Sequence, residues 1–214
     1  MFKFYTAIGQ LHLVRDENGD KQPIIKWDNK VFELNKNELI IWTSLMWHIS
    51  DYDELFEVFK SKVSSKCLEV DINFLKMDFN RTLNRLINRN IVVMSEDKVD
   101  IISVYNLISD LIIIPSTANW FLSAVTFLKF ILVDNIPFSK AKYIFARGNI
   151  SKNEKSILST IRKNKFKTSE ILSIINIKNN KENLSYDNEE RIADLHIGIQ
   201  TICSLYLKKL IQFE

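Results

Sequence analysis

The stretch LEVDINFLKMDFNRTLNRLINRNIVVMSEDKVDIIS (68–103) decides how this chain folds. Phe74 or Leu75, Phe79, Leu83 and Leu86 recur at helical spacing, which predicts an amphipathic helix over 71–89. Its other side carries Asn80, Arg81, Asn84, Arg85, Asn88 and Arg89. Arg81, Arg85 and Arg89 repeat every four residues and so form one cationic line along the helix. Forked guanidinium donors and paired amide atoms fit phosphates and base edges. Directly afterwards IVVM (91–94), the polar turn Ser95-Glu96-Asp97-Lys98 and VDII (99–102) predict a short β-hairpin over 91–102.

Upstream, residues 8–14 and 22–27 alternate as strands do, and VFEL (31–34) makes a third strand after the turn Asp28-Asn29. Asn35 can cap a helix running through Leu39, Ile40, Trp42, Leu45 and Met46 to about Trp47. Ser50-Asp51-Tyr52-Asp53 opens a second helix to about Val63, with Tyr52, Leu55, Phe56 and Phe59 on its buried face. Residues 1–104 then make an N-terminal domain.

Residues 105–148 read as an apolar helical connector. Within it Ala118 to Val133 is only 16 residues long and contains Lys129, whereas a bilayer needs about 20 apolar residues, so a buried helix is expected there and no membrane span. Wide apolar coverage makes this connector a candidate dimerisation segment and the chain a candidate homodimer. Asn135-Ile136-Pro137 starts a shorter helix ending near Arg147-Gly148. A C-terminal domain, 149–214, opens on the capping box Ser151-Lys152-Asn153-Glu154, with Ile157, Leu158 and Ile161 on one face. Thr168 caps a short helix carrying Ile171, Leu172 and Ile175. A polar loop over 178–188 leads to a long helix from about Asn188 to Leu205, and then to YLKKLIQF (206–213). Its long helix shows Glu189, Glu190 and Asp194 against the single Arg191, a balance that disfavours insertion between phosphates.

Composition narrows the function classes. A chain of 214 residues with four glycines, three prolines and 46% hydrophobic residues is a globular protein rich in helix. The expected class is mainly α with small β-sheets (α+β). The net charge of +3 says little about partners. Its distribution says more. Asp51, Asp53, Glu54 and Glu57 would repel phosphate, while Arg162, Lys163, Lys165 and Lys167 form a second basic cluster. Cys67 and Cys203 match no metal spacing and read as free thiols, and the N-terminus MFKFYTAIGQLHL has no signal-peptide pattern, so a cytoplasmic protein is expected. No P-loop, HExxH, GxSxG or GxGxxG occurs, so the reading is of a non-enzyme without a cofactor or metal. Trp27, Trp42, Trp47 and Trp120 are expected in packing roles, and His12, His48 and His196 are scattered.

The order strand, LNKNELIIW, acidic helix, Arg-bearing helix and hairpin resembles bacterial winged helix-turn-helix transcription regulators over 30–103. The C-terminal order of helix, short helix, long helix and strand would make a tandem with a degenerate second winged-helix unit. The resemblance implies sequence-specific binding of double-stranded DNA by a transcription regulator. Arg81, Asn84 and Arg85 would be its base contacts. Lys76, Lys98 and Arg89 would meet the phosphate backbone, and Asn80 and Asn88 lie on the same face. KVFELNKNELIIW (30–42), preceded by a strand pair, is also similar to PqqD-like peptide-recognition modules. Those hold a leader peptide against a strand edge and their third helix. That likeness implies a peptide- or protein-binding adaptor. The alternative to either is a solvated helix face with ordinary ion pairs, Asp78 with Arg81 among them.

Overall fold

The N-terminal segment is extended: β1 (Phe2–Ala7), a strand not expected from the sequence, is followed by the three expected strands β2 (Gln10–Arg15), β3 (Lys21–Trp27) and β4 (Lys30–Glu33). The computed structural model describes residues 1–15, 21–64, 71–116, 150–162, 164–180 and 188–214. Among these the chain is an α+β protein of seven helices and nine strands, in three antiparallel three-stranded sheets. The expected helices within 118–133 and 135–148, with Trp120, Cys67 and Lys163, lie outside the described residues. Strands β2, β3 and β4 form one sheet in that order. Asp28 and Asn29, at φ of 48° and 57°, join Trp27 to its partner Lys30 as a two-residue turn of the kind that suits twisted hairpins.

Asn35 caps α1 (Lys36–Leu45) as expected, and the third helical residue, Glu38, returns a bond to it. Then come β5 (Ser50–Asp51), α2 (Tyr52–Ser64) and α3 (Ile72–Asn88), the last capped by Asp71. On α3, Leu75, Phe79, Leu83 and Leu86 are buried, and the Phe79 ring meets Tyr52, Phe56 and Phe59 at centroid distances of 5.4, 5.3 and 5.3 Å. Of the two residues offered for the start of that apolar face, Leu75 is inside and Phe74 is outside.

The hairpin expected over 91–102 is not there. Residues Val92–Asp97 do form a strand, β6, but Val99 caps α4 (Asp100–Ile108), and VDII belongs to that cap and helix. The place beside β6 is already filled by β1, paired along six residues from Phe2↔Asp97 to Ala7↔Val92. An apolar run so short fits either period. Ser103, Leu107 and Ile108 are buried at helical spacing, and that burial decides for helix. Sheet order here is β5-β1-β6, with the chain's first strand in the middle.

The second half repeats this order. β7 (Ile112–Pro115) is followed by α5 (Lys152–Ile161), β8 (Phe166–Lys167), α6 (Thr168–Asn180), α7 (Asn188–Leu207) and β9 (Ile211–Phe213). The sheet order is β8-β7-β9, again with the early strand central. β7 falls in the stretch read as a connector, yet its sheet partners both lie in 149–214. The register repeats too. Phe4 faces Asp51 and Ala7 faces Val92 in the first sheet, while Ile112 faces Lys167 and Pro115 faces Ile211 in the third. Each third helix ends in a left-handed residue, Asn90 at φ 55° and Lys209 at φ 58°. Around them Ile91 N–H donates to Leu86 O at 3.2 Å and Leu210 N–H to Leu205 O at 3.0 Å, the same helix stop twice. Thr168 does not cap α6. It is the helix's first residue, and its hydroxyl donates to Leu111 O at 3.0 Å, while Glu170 accepts from Lys167 N–H at 2.9 Å.

Each half has its own core, one around Trp42, Phe59, Phe79 and Leu86, the other around Ile157, Leu172, Ile202 and Phe213. Tyr206 joins them. Its hydroxyl lies 3.1 Å from Thr6 Oγ1 and 3.3 Å from both Ala7 O and Leu45 O. Burial pushes this phenol up to about 12, so it stays a neutral donor at ordinary pH.

Candidate functional site

Helix α3 carries most of the residues singled out in the sequence, and the structure divides them into three sets. Arg81, Asn84 and Asn88 are exposed along it, and Arg81 has no partner among the described residues. Asn80 is engaged, accepting from Tyr52 Oη at 2.8 Å, and Lys76 Nζ sits 5.9 Å from the centre of the Tyr52 ring. The anticipated pairing of Asp78 with Arg81 does not form, because Asp78 accepts instead from Asn37 Nδ2 at 2.8 Å. Lys98 is exposed just past the end of β6, beside the start of α4 rather than at a hairpin tip.

Arg85 and Arg89 form the third set, and they turn back toward the protein. Arg85 Nε lies 3.7 Å from Glu38 Oε1, and Arg89 Nη1 lies 3.4 Å from Glu38 Oε2 and 3.3 Å from Glu33 O. Glu38 is only 2% exposed. It is held there by the start of α1: its N–H donates to Asn35 Oδ1 at 3.0 Å, and its Oε2 accepts from Asn35 N–H at 2.9 Å. Oε1, itself closed to water, has no hydrogen-bond partner among the described residues. A half-satisfied carboxylate, nearly sealed from water, is an uncommon arrangement in a folded protein.

Glu38 lies at the base of a cleft of about 460 Å³ lined also by Gln22, Pro23, Glu33, Leu34, Asn35, Arg85 and Arg89. One wall is the end of the β3–β4 hairpin, with Gln22 and Pro23 of β3, Glu33 of β4 and the Leu34–Asn35 segment after it; the opposite wall is the C-terminal half of α3. Val31 on β4 is 58% exposed. Toward the start of α3 the apolar Ile72, Phe74 and Met77 are exposed among the polar Asn73 and Lys76. The sequence reading missed Glu38, although Asn35-Lys36-Asn37-Glu38 carries the cap-to-third-residue spacing that was noticed at Ser151 to Glu154.

A second cavity, about 210 Å³ and mostly apolar, lies between the halves, lined by Phe4, His48, Ile49, Val104, Cys203, Tyr206 and Leu207. Burial pushes the Cys203 thiol up to about 11, which keeps it protonated at ordinary pH. His48 Nε2 points away to Glu54 at 3.2 Å. Among the described residues no three His, Cys, Asp or Glu side chains stand together as metal ligands would, and no helix is long and apolar enough to cross a membrane. No family model matches the chain, and no curated protein and no solved structure is significantly similar to it.

Proposed function

We propose that the chain is a peptide-binding adaptor built from two winged-helix units, the first of which takes an extended peptide along β4 beside α3. The order α1, β5, α2, α3, β6 around a three-stranded sheet supports the winged-helix assignment, with β1 where the returning strand of a wing would lie. The order α5, β8, α6, α7, β9 supports a second unit of the same kind. The observation that carries peptide binding is the fate of the arginine line. Two of its three members close on Glu38 and line a cleft that reaches the end of β4, a strand whose outer edge is unpaired among the described residues. A strand edge supplies main-chain bonds to any extended segment, and the adjoining wall supplies side-chain selection.

The test is display of random twelve-residue peptides against the full chain, followed by amide hydrogen exchange with an enriched peptide bound. Slowed exchange at Lys30–Glu33 is the expected result, because strand addition pairs the outer amides of β4. Enriched peptides that leave these amides unprotected would place binding elsewhere.

Binding of double-stranded DNA is a second reading, and one observation favours it: Arg81, Asn84 and Asn88 stay exposed on the same helix. Against it, three of the exposed side chains in the N-terminal half of α3, Ile72, Phe74 and Met77, are apolar and offer base edges no hydrogen bonds, with only Asn73 and Lys76 exposed beside them there. Fluorescence anisotropy with the gene's upstream duplex and an unrelated one, across a salt series, separates the two. Sequence-preferring binding that weakens with salt and is lost in Arg81→Ala would establish DNA recognition over peptide binding.

A further inference from the structure

Where the two halves meet, they leave a space that neither fills. Phe4 on β1, Ile49 just before β5 and Val104 on α4 come from the first half, and Cys203, Tyr206 and Leu207 share one face of α7 in the second. Phe4, Ile49, Val104 and Cys203 pack against the second core yet stay only partly buried, because their other sides border the cavity of about 210 Å³. Leu207, 55% exposed, stands at its mouth. The polar groups nearby are already engaged. Tyr206 Oη lies against Thr6 Oγ1, Ala7 O and Leu45 O, Thr6 Oγ1 donates to His48 O at 3.0 Å, and His48 Nε2 meets Glu54. Water in such a space finds few groups to bond, and an apolar group that displaces poorly held water gains affinity.

We propose that this cavity is a binding site for a small uncharged apolar molecule, of the size of one aromatic ring with a short alkyl group. Volume and lining carry the assignment. A carbon-lined cavity of about 150 Å³ already takes benzene, so about 210 Å³ leaves room for a substituent. No lysine or arginine is among its described lining residues, so a carboxylate or phosphate on the ligand would lose its water without gaining a cation. A polypeptide segment fits less well, because its main-chain N–H and C=O groups would meet a mostly apolar wall whose Tyr206 hydroxyl is already bonded. The position gives binding a consequence. An occupant touches β1 and α4 of the first half and α7 of the second, so it adds contact between the halves. The cavity shares no lining residue with the cleft between the β3–β4 hairpin and α3, so this site does not depend on peptide binding.

Toluene is the probe, with benzoate as a charged control of similar size. Calorimetric titration of the unaltered chain should show saturable binding of one toluene and none of benzoate. Cys203 then reports the place. In Cys67→Ser it is the only thiol, and its alkylation by iodoacetamide at alkaline pH should slow on the order of tenfold as toluene approaches saturation, following occupancy by mass action. Val104→Phe, which puts a ring into the cavity from α4, should abolish both the calorimetric signal and the protection. The titration uses the unaltered protein, so it stands even if either variant folds poorly. Absence of saturable toluene binding overturns the proposal, and so does benzoate binding as tightly as toluene. Toluene binding that persists undiminished in a folded Val104→Phe, or that leaves Cys203 alkylation unchanged, places the ligand elsewhere and overturns it as well.

Discussion

The start of α1 and the start of α5 are the same device finished in two ways. In each, a short polar residue caps the helix and a buried glutamate returns the bond, so two of the helix's unpaired N–H groups are satisfied. What differs is the residue at the end of the third helix. Lys208, with one flexible ammonium, reaches both oxygens of Glu154, and Ser204 fills the remaining position. Arg85 and Arg89 are larger and planar, approach from the cleft side and remain partly exposed, so Glu38 is neutralised without being saturated. A cap thus fixes where a glutamate sits, while the residues arriving from far along the chain decide whether it is structure or site.

The largest expected effect falls on the closed cluster. Lys208→Met should destabilise the C-terminal half by about 3 kcal/mol, the usual consequence of stripping one partner from a buried ion pair. Urea unfolding followed by hydrogen exchange in α5 and α7 measures it. A loss below about 1 kcal/mol would mean that Glu154 is held by Ser151 and Ser204 alone.

Acid comes next. Burial by itself would raise the Glu154 carboxyl, but hydrogen bonds from Lys208, Ser151 N–H and Ser204, with the Lys208 charge, outweigh it and hold the group below its ordinary value of 4.5. A lowered folded-state value contributes stability that is complete above 4.5 and is lost as pH falls through the folded value. Exchange protection of α5 and α7 should therefore decline only below that pH, and should decline at higher pH in Lys208→Met. An identical acid profile in the two proteins would break the comparison at this point.

Arg85→Ala in the open cluster should change stability by less than about 1 kcal/mol, because the pair is long and its cation is half exposed. The same change should weaken a peptide enriched against the full chain, because Arg85 lines the cleft. A stability loss as large as that of Lys208→Met would make the two clusters equivalent and remove the distinction between them. An effect of similar size is expected for Gly198→Ala, which stands as far before Lys209 as Phe79 stands before Asn90. A methyl there would lie 2.6 Å from Leu172 Cδ2, so overpacking of about 1–3 kcal/mol is partly offset by about 1 kcal/mol of helix propensity. A net loss of about 1 kcal/mol, relieved by Leu172→Ala in a double-mutant cycle, would show that the second core is closed at this point by a glycine.

Local signals were legible without the structure. The three N-terminal strands, the Asp28-Asn29 turn, the Asn35 and Ser151 caps and the apolar faces of α2 and α3 all follow from residues within one or two turns of each other. The site was legible only in outline. Arg85 and Arg89 were recognised as unusual, but their direction depends on Glu38, about fifty residues earlier in the chain. The hairpin failed for the same reason. VDII looks like the strand that β6 needs, and nothing near it reveals that Phe2–Ala7 has taken that place.

By itself, then, the sequence determined which segments are helix and strand wherever period and cap agree, because those preferences are settled by neighbouring residues. Only the tertiary structure decided which strands pair, that β1 and β7 stand at the centre of their sheets, and that Glu154 is fully hydrogen-bonded while Glu38 is not. Pairing and burial join groups far apart in the chain. Their free energy depends on which distant side chain or strand edge arrives first at a shared position, and no local pattern records that.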